Sequence, residues 1–225
     1  MDMKKYKLTI EDGVITWIQD TDKNGDPIVG ILNIPKEATD FSVDAWINLG
    51  CNAADIRVHK DNPVFASAHN CLLSKDGTKL IKVCEESDIY SLTGLKTIGR
   101  DAFNAPGYSW VEIDLQIPEG IETLEYRALA MSADTAKITV PASVTSVALL
   151  AFMIHSEQTH IIFEGDPELE TGVFGTAAEA EDSDFETYRA MPKILFPKPE
   201  NITVTCQPDS KVWHYCKKYG IPTTV

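Results

Sequence analysis

The sequence predicts a solenoid, a stack of short repeats in which each repeat adds one strand to a parallel β ladder. Three observations predict this fold class: a motif that returns about every 23 residues, a column of leucine and isoleucine that heads the copies, and distinct patterns at the two ends. We expect irregular or helical return paths between the strands, a β-hairpin cap at the amino end and a strand-helix cap at the carboxyl end.

The repeat is clearest in the middle of the chain. The segment KITVPASVTSVALLAF at 137–152 repeats the pattern of LQIPEGIETLEYRAL at 115–129, and Pro141 follows Pro118 by 23 positions. Two less regular copies precede these, and all four copies have an alanine at the same position of the repeat. This alanine, which we expect to be buried where the return path packs closely, is Ala45, Ala102, Ala128 and Ala151 in the four copies.

A short strand with an apolar first residue opens each copy. Successive strand heads are 24, 33, 26, 23, 23 and 33 residues apart, so two of the steps carry about ten extra residues. Because side chains alternate between the two faces of a strand, all of these heads should point into one core. The predicted heads are Leu32, Ile56, Ile89, Leu115, Ile138, Ile161 and Ile194.

The extra residues form two insertions. Near 62–84, the pair Asp76-Gly77 between apolar runs predicts the turn of a β-hairpin. Near 164–190 the chain is strongly acidic, a composition typical of a solvated, mobile segment; the alternative is a segment that grips a basic partner.

Both ends have the patterns of caps. At the amino end, Asp12-Gly13 between two apolar runs predicts a hairpin with a type I′ turn. At the carboxyl end, a strand is followed by a short helix from Ser210 through Tyr219 that Gly220 should end. The predicted domain organisation is a hairpin cap at 1–30, a solenoid of about seven strands at 31–200 and a cap at 201–225.

Three stretches together resemble the BspA-like leucine-rich repeat proteins, a bacterial class with repeats of roughly 23 residues. They are xxITVPxSVTSVxxxAF, NPVFASxxxCLLSKDGTKLIK and PDSKVWHYCKKYGIP, and the resemblance covers about 30–220. It implies a curved leucine-rich-repeat solenoid whose parallel sheet lines one face, and an adhesion-like role in protein binding. The chain departs from the class in the acidic segment and at Leu129, where an aromatic residue is usual.

Charge and composition exclude several classes of function. The 20 basic and 34 acidic residues give a net charge of −14, which repels phosphate backbones, so we expect no nucleic-acid partner. We also expect no membrane span, because no apolar run approaches the roughly 18 to 20 residues that one needs. The sequence as it stands shows no export signal, which predicts a cytoplasmic protein; the alternative, taken from the resembled class, is a cell-surface or secreted one. The five irregularly spaced cysteines predict reduced, buried thiols.

No motif predicts catalysis, a cofactor or a metal. The stretch DTDKNGDPIVGI at 20–31 matches half of a calcium loop, but Ile31 stands where a bidentate glutamate belongs, so a polar turn is the simpler interpretation. No GxSxG, HExxH or CxxC pattern occurs. We therefore expect a protein that is not an enzyme and holds no cofactor. A hydrolase would need a Cys or Ser beside a His, for which the sequence offers no local support.

The outward side chains of the strands form the candidate binding face. Three successive predicted strands begin this face with aspartate, and the next three begin it with Lys, His and Lys. In-line carboxylates about 5 Å apart repel each other and are not explained by stability, although a solvated face with accidental ordering is the alternative. The candidate residues are Asp55, Arg57, Asp88, Tyr90, Asp114, Gln116, Lys137, Thr139, His160 and Lys193.

These observations predict a recognition module that binds a protein or glycan partner through the strand-lined face. The alternative is a structural or assembly protein whose repeats stack in an oligomer.

Overall fold

The computed structural model describes residues 4–19, 21–26, 28–49, 53–84, 87–104 and 110–225. This part of the chain consists mostly of short strands with a few short helices. It divides into two compact units: the first runs to Leu95 and the second begins at Lys96. No helix within these ranges is long and apolar enough to cross a membrane.

The first unit contains strands β1 to β9 and helix α1. Their bounds are β1 Lys4–Lys5, β2 Leu8–Glu11, β3 Val14–Ile18, β4 Gly30–Ile34, β5 Asp40–Phe41, α1 Val43–Asn48, β6 Ala53–Val58, β7 Phe65–Ala68, β8 Cys71–Ser74 and β9 Lys79–Val83.

Strands β1, β4 and β6 form a parallel sheet in the register that the repeat predicts. Leu32 on β4 pairs with Ile56 on β6, and both side chains are buried. They belong to one core with Ile15 and Ile18 of β3, so the amino-terminal strands share the core of the first repeats.

Both predicted hairpins of this unit are confirmed. Strands β2 and β3 are antiparallel around Asp12-Gly13, whose φ angles of 49° and 83° are those of a type I′ turn. Strands β8 and β9 are antiparallel around Asp76-Gly77, and β7 pairs with β8 on the other side.

The second unit contains strands β10 to β19 and helices α2 to α4. Their bounds are β10 Thr97–Ile98, β11 Trp110–Gln116, β12 Thr123–Leu124, β13 Met131–Val140, β14 Ser146–Val147, β15 Ile154–His155, β16 Gln158–Phe163, β17 Glu168–Leu169, α2 Ala177–Asp182, α3 Glu186–Arg189, β18 Ile202–Thr205, α4 Lys211–Tyr219 and β19 Thr223–Thr224.

Two parallel ladders run through the second unit, and successive repeats add a strand to each. The longer ladder has the order β11-β13-β16-β18-β19, and the shorter one has the order β10-β12-β14-β17. In the longer ladder Leu115 pairs with Ile138, which pairs with Ile161, so the predicted 23-residue register is confirmed there. All three side chains are buried, as a shared core column requires.

The predicted strand headed by Ile89 is wrong. Ile89–Ser91 forms a 3-10 helix, because the Asp88 carboxylate accepts hydrogen bonds from the backbone N–H groups of Tyr90 and Ser91. Such local side-chain capping competes with pairing to a neighbouring strand.

The predicted strand headed by Ile194 is also wrong. Lys193–Leu195 forms a 3-10 helix between Pro192 and Pro197, neither of which has a backbone N–H to donate to a ladder. Ile194 is 90% exposed instead of buried. The strand that pairs with β16 on its other edge is β18, where Val204 pairs with Ile161.

The acidic segment near 164–190 is folded, which corrects the expectation of a solvated, mobile insertion. It contains β17, α2 and α3, and the ring of Tyr188 is fully buried. Thr176 begins α2 with a reciprocal capping box to Glu179. An acidic composition therefore coexists here with a buried framework of apolar and hydroxyl groups.

Glu179 joins this segment to the predicted carboxyl-terminal helix, which is confirmed as α4 between Ser210 and Gly220. The buried Glu179 carboxylate accepts hydrogen bonds from the Tyr215 hydroxyl at 2.6 Å and from the backbone N–H of Thr176 at 2.7 Å. The Tyr215 oxygen also accepts from the Gly172 backbone N–H at 2.8 Å. These bonds hold α4 against the acidic segment.

Candidate recognition face

The longer ladder of the second unit brings five of the predicted face residues together. Asp114 of β11 lies beside Lys137 of β13, which lies beside His160 of β16. Gln116 and Thr139 form the adjacent column on the same two first strands. All five side chains are exposed or half-buried, so strand alternation placed them on the outward face as predicted.

The charges at the start of this face neutralise each other. Lys137 Nζ lies 3.2 Å from Asp114 Oδ2, and about half of each side chain is exposed. His160 Nε2 lies 2.8 Å from the Thr205 hydroxyl, which fixes the imidazole ring against β18. The acidic-to-basic polarity predicted along the ladder is therefore reduced in this unit to one neighbouring ion pair.

A groove of about 570 Å³ lies over these strands. Its floor is formed by outward side chains of β11, β13, β16 and β18, and one wall is formed by the turn that precedes β18. The residues that line it are Glu112, Ile113, Thr135, Ala136, Lys137, Gln158, Thr159, His160, Glu200, Asn201 and Thr203.

Most of the groove's polar residues escaped the sequence prediction. Glu112, Thr135 and Gln158 pair in register and are spaced by 23 residues. They form a column on the same face as the Asp114 column, two residues earlier in each strand. The repeat carries this signal, but the predicted strands began too late to include it.

The groove wall escaped for a different reason. Glu200 and Asn201 belong to a 3-10 turn, and Asn201 Nδ2 donates to the Ser156 carbonyl at 3.0 Å, which anchors the turn beside β16. The apolar pattern places the last predicted repeat strand at Ile194 and the cap strand after residue 201, which leaves these two residues in a connection.

Asp55 and Arg57, the first predicted pair, lie on β6 in the first unit. Arg57 Nε is 2.7 Å from Asp55 Oδ2, so the two outward side chains of this strand form an ion pair with each other. This pair occupies the outward face of the β1-β4-β6 sheet, where Arg57 pairs with Asn33 of β4.

Asp88, Tyr90 and Lys193 do not lie on strands. Asp88 caps its 3-10 helix, and a hydrogen bond from the Ser91 hydroxyl lowers the pKa of the carboxyl. Tyr90 is 60% exposed on that helix. Lys193 begins the other 3-10 helix, and its side chain lies outside the described residues.

The described residues contain no group of three His, Cys, Asp or Glu side chains arranged to hold a metal. In the half calcium loop, Asp22 Oδ1 instead accepts backbone hydrogen bonds from Asn24 at 2.8 Å and Asp26 at 3.2 Å, while Asp20 lies outside the described part. Cys71, Cys84, Cys206 and Cys216 are buried, and Cys51 lies outside the described part. Burial raises the pKa of the Cys71 thiol to about 11, which keeps it protonated and unreactive.

Comparison with known proteins finds similarity in structure only. No protein-family model matches the chain, and no curated protein matches it in sequence. It is similar to the crystal structure of a leucine-rich repeat protein from the bacterium Eubacterium ventriosum, with 17% identity and a TM-score of 0.49 over 87% of this chain and 48% of that one. It is also similar to the pneumococcal vaccine antigen PcpA, with 15% identity and a TM-score of 0.35 over 87% of this chain and 55% of that one. The chain thus spans about half the length of each structure.

Proposed function

We propose that this chain is a leucine-rich-repeat solenoid of the BspA-like kind that recognises a protein or glycan partner through its strand-lined face, without catalysis or a cofactor. The observation that carries the proposal is the groove over β11, β13, β16 and β18, whose floor presents hydroxyl, amide and charged groups in regular columns. Stacked repeats use such extended faces to bind partners.

The chemistry of the lining favours recognition over turnover. The groove offers hydrogen-bond donors and acceptors at successive strands, spaced by about 4.8 Å. Its single histidine is bonded to Thr205, and the cysteines of the described part are buried away from solvent. The set suits a ligand that is held by many weak polar contacts along one surface.

The test is a groove-filling substitution that leaves the fold intact. Thr135 is exposed on the groove floor, so Thr135→Arg should keep the melting temperature and remove binding to peptide and glycan arrays. Thr187→Arg, on the exposed side of α3, is the matched control and should bind like the parent. Array signals that survive Thr135→Arg unchanged would show that the groove is not the recognition surface.

A further inference from the structure

The groove over the longer ladder has an uneven distribution of charge. Lys137 is already paired with Asp114 at 3.2 Å, so these two groups contribute no net charge. Glu112 and Glu200 also line the groove, both are exposed, and the described residues offer neither of them an ion-pair partner. Beyond the Lys137–Asp114 pair, the lining therefore carries two carboxylates, those of Glu112 and Glu200.

These two carboxylates stand at opposite sides of the groove. Glu112 projects from β11, and Glu200 belongs to the turn that leads into β18, three strands further along the ladder order. At about 4.8 Å per strand, three steps correspond to about 14 Å across the ladder. An extended peptide advances about 3.3 Å per residue, so side chains four positions apart on one face of such a peptide span a similar distance.

The lining between the two carboxylates is polar and open. Thr135, Gln158, Asn201 and Thr203 supply hydroxyl and amide groups, and the lining includes no phenylalanine, tyrosine or tryptophan among the described residues. Sites for drug-sized molecules are mostly apolar and aromatic, which this groove is not. Hydroxyl and amide groups are instead suited to the backbone and short polar side chains of a bound peptide.

We infer that the groove receives an extended segment of a partner protein that carries lysine or arginine side chains, with Glu112 and Glu200 each binding one of them. The inference rests on the proposed function and names the partner's chemistry. Arginine fits best, because its planar fork makes two parallel hydrogen bonds to one carboxylate.

The probe is a fluorescent 12-residue peptide of alternating Arg and Ser, followed by anisotropy at low salt, with a Glu-Ser peptide as the opposite-charge probe. The parent chain should bind the Arg-Ser peptide and not the Glu-Ser one. Glu112→Gln with Glu200→Gln should weaken Arg-Ser binding about tenfold, since two exposed ion pairs are removed. Raising the salt to about 0.3 M should remove most of the difference.

The matched control separates a site from the general field of an acidic protein. Glu119→Gln with Glu181→Gln changes the net charge equally at exposed carboxylates of the same unit outside the groove, and should change the affinity less than twofold. Equal weakening by both double variants, or no binding by the parent, would overturn the inference.

A glycan arm keeps this inference distinct from the proposed function. If a glycan binds the parent, is lost in Thr135→Arg and is unaffected by the two glutamine exchanges, the groove is a recognition surface but not for basic segments. If neither peptide nor glycan binding responds to Thr135→Arg, the proposed function itself is wrong.

Discussion

At the scale of single residues, the return turns of the second unit repeatedly use left-handed backbone. Asp101, Arg127 and Leu150 have φ angles of 52°, 54° and 59°, and the following turn has Gly172 at 97°. A side chain is tolerated at the first three turns. At Gly172 it is not, because a Cβ atom would lie 2.6 Å from both Leu149 Cδ1 and Tyr188 Cε1. Tyr188 belongs to the acidic segment, so this glycine is required by the packing of that segment.

Gly172→Ala should therefore destabilise the protein by about 2 to 4 kcal/mol, from the strained backbone and the overpacked core together. Gly220→Ala is the control, since Gly220 has a φ of 68° but a Cβ atom added to it would meet no other atom within 4 Å, and should cost only about 1 kcal/mol. Urea unfolding measures both. Equal losses would mean that Tyr188 does not occupy the space beside Gly172.

Glu179 is a buried acidic residue that should make the stability of the protein depend on pH. Its carboxylate is fully buried, and burial raises its pKa above the ordinary value of 4.5, although hydrogen bonds from Tyr215, Thr176 and Phe174 oppose the shift. The folded state therefore holds the proton more tightly than the unfolded chain does. The resulting stabilisation is present below pH 4.5 and is lost as the pH rises through the raised pKa.

The pH dependence of unfolding should reveal this group. The free energy of unfolding of the parent, relative to that of Glu179→Gln, should fall as the pH rises from about 4 to 8, because only the parent acquires a buried charge. Glu181→Gln, an exposed neighbour on α2, should show no such trend relative to the parent. A parent that gains stability relative to Glu179→Gln over this range would show that the hydrogen bonds outweigh the burial.

At the scale of strands and helices, the alanine phase sets how closely neighbouring repeats pack. Ala45, Ala102, Ala128 and Ala151 are all buried to within 1% exposure, as the sequence predicted. The turn that contains Ala151 bonds to both neighbouring turns: the Leu129 N–H donates to the Ala151 carbonyl, and the Phe152 N–H donates to the Val173 carbonyl. A larger side chain has no space between them.

Ala151→Leu should lower the free energy of unfolding by about 1 to 3 kcal/mol through overpacking. The same exchange at Ala178, which is exposed on α2, should stay within about 0.5 kcal/mol of the parent. Thermal melts of the two variants make the comparison. An unchanged melt for Ala151→Leu would mean that the repeat register is misplaced.

The strands that the sequence predicted correctly are those in which the whole repeat agrees. A proline follows both Leu115 and Ile138 by three residues, and Ile161 comes 23 residues after Ile138. One register therefore pairs all three strand heads. Ile89 and Ile194 matched only the local apolar pattern. There the Asp88 cap and the prolines that flank 193–196 favour a 3-10 helix. A three-residue apolar pattern contains no information on either effect.

The candidate site was predicted in the same partial way. Alternation fixed the direction of Asp114, Lys137 and His160 once the register was known. It could not show that Lys137 is paired with Asp114, or that Glu200 enters the groove from a turn, because both depend on side-chain contacts across the ladder.

At the scale of the whole molecule, the net charge of −14 is the dominant electrostatic property. This net value already counts the lysines of exposed pairs such as Lys96 with Glu122 and Lys211 with Glu168. An excess of one sign destabilises the compact state through self-repulsion, whereas exposed ion pairs are individually worth little. Repulsion should therefore determine how the protein responds to salt.

Added NaCl should raise the melting temperature by a few degrees between about 10 and 150 mM, because the screening length falls to about 8 Å over that range. Glu119→Lys with Glu181→Lys changes the charge from −14 to −10, since each exchange adds two, and should melt higher at low salt with a smaller rise. Both positions are exposed, so the core is untouched. A melting temperature that falls with salt in the parent would mean instead that screened ion pairs outweigh repulsion, and the two lysine substitutions would then increase that fall.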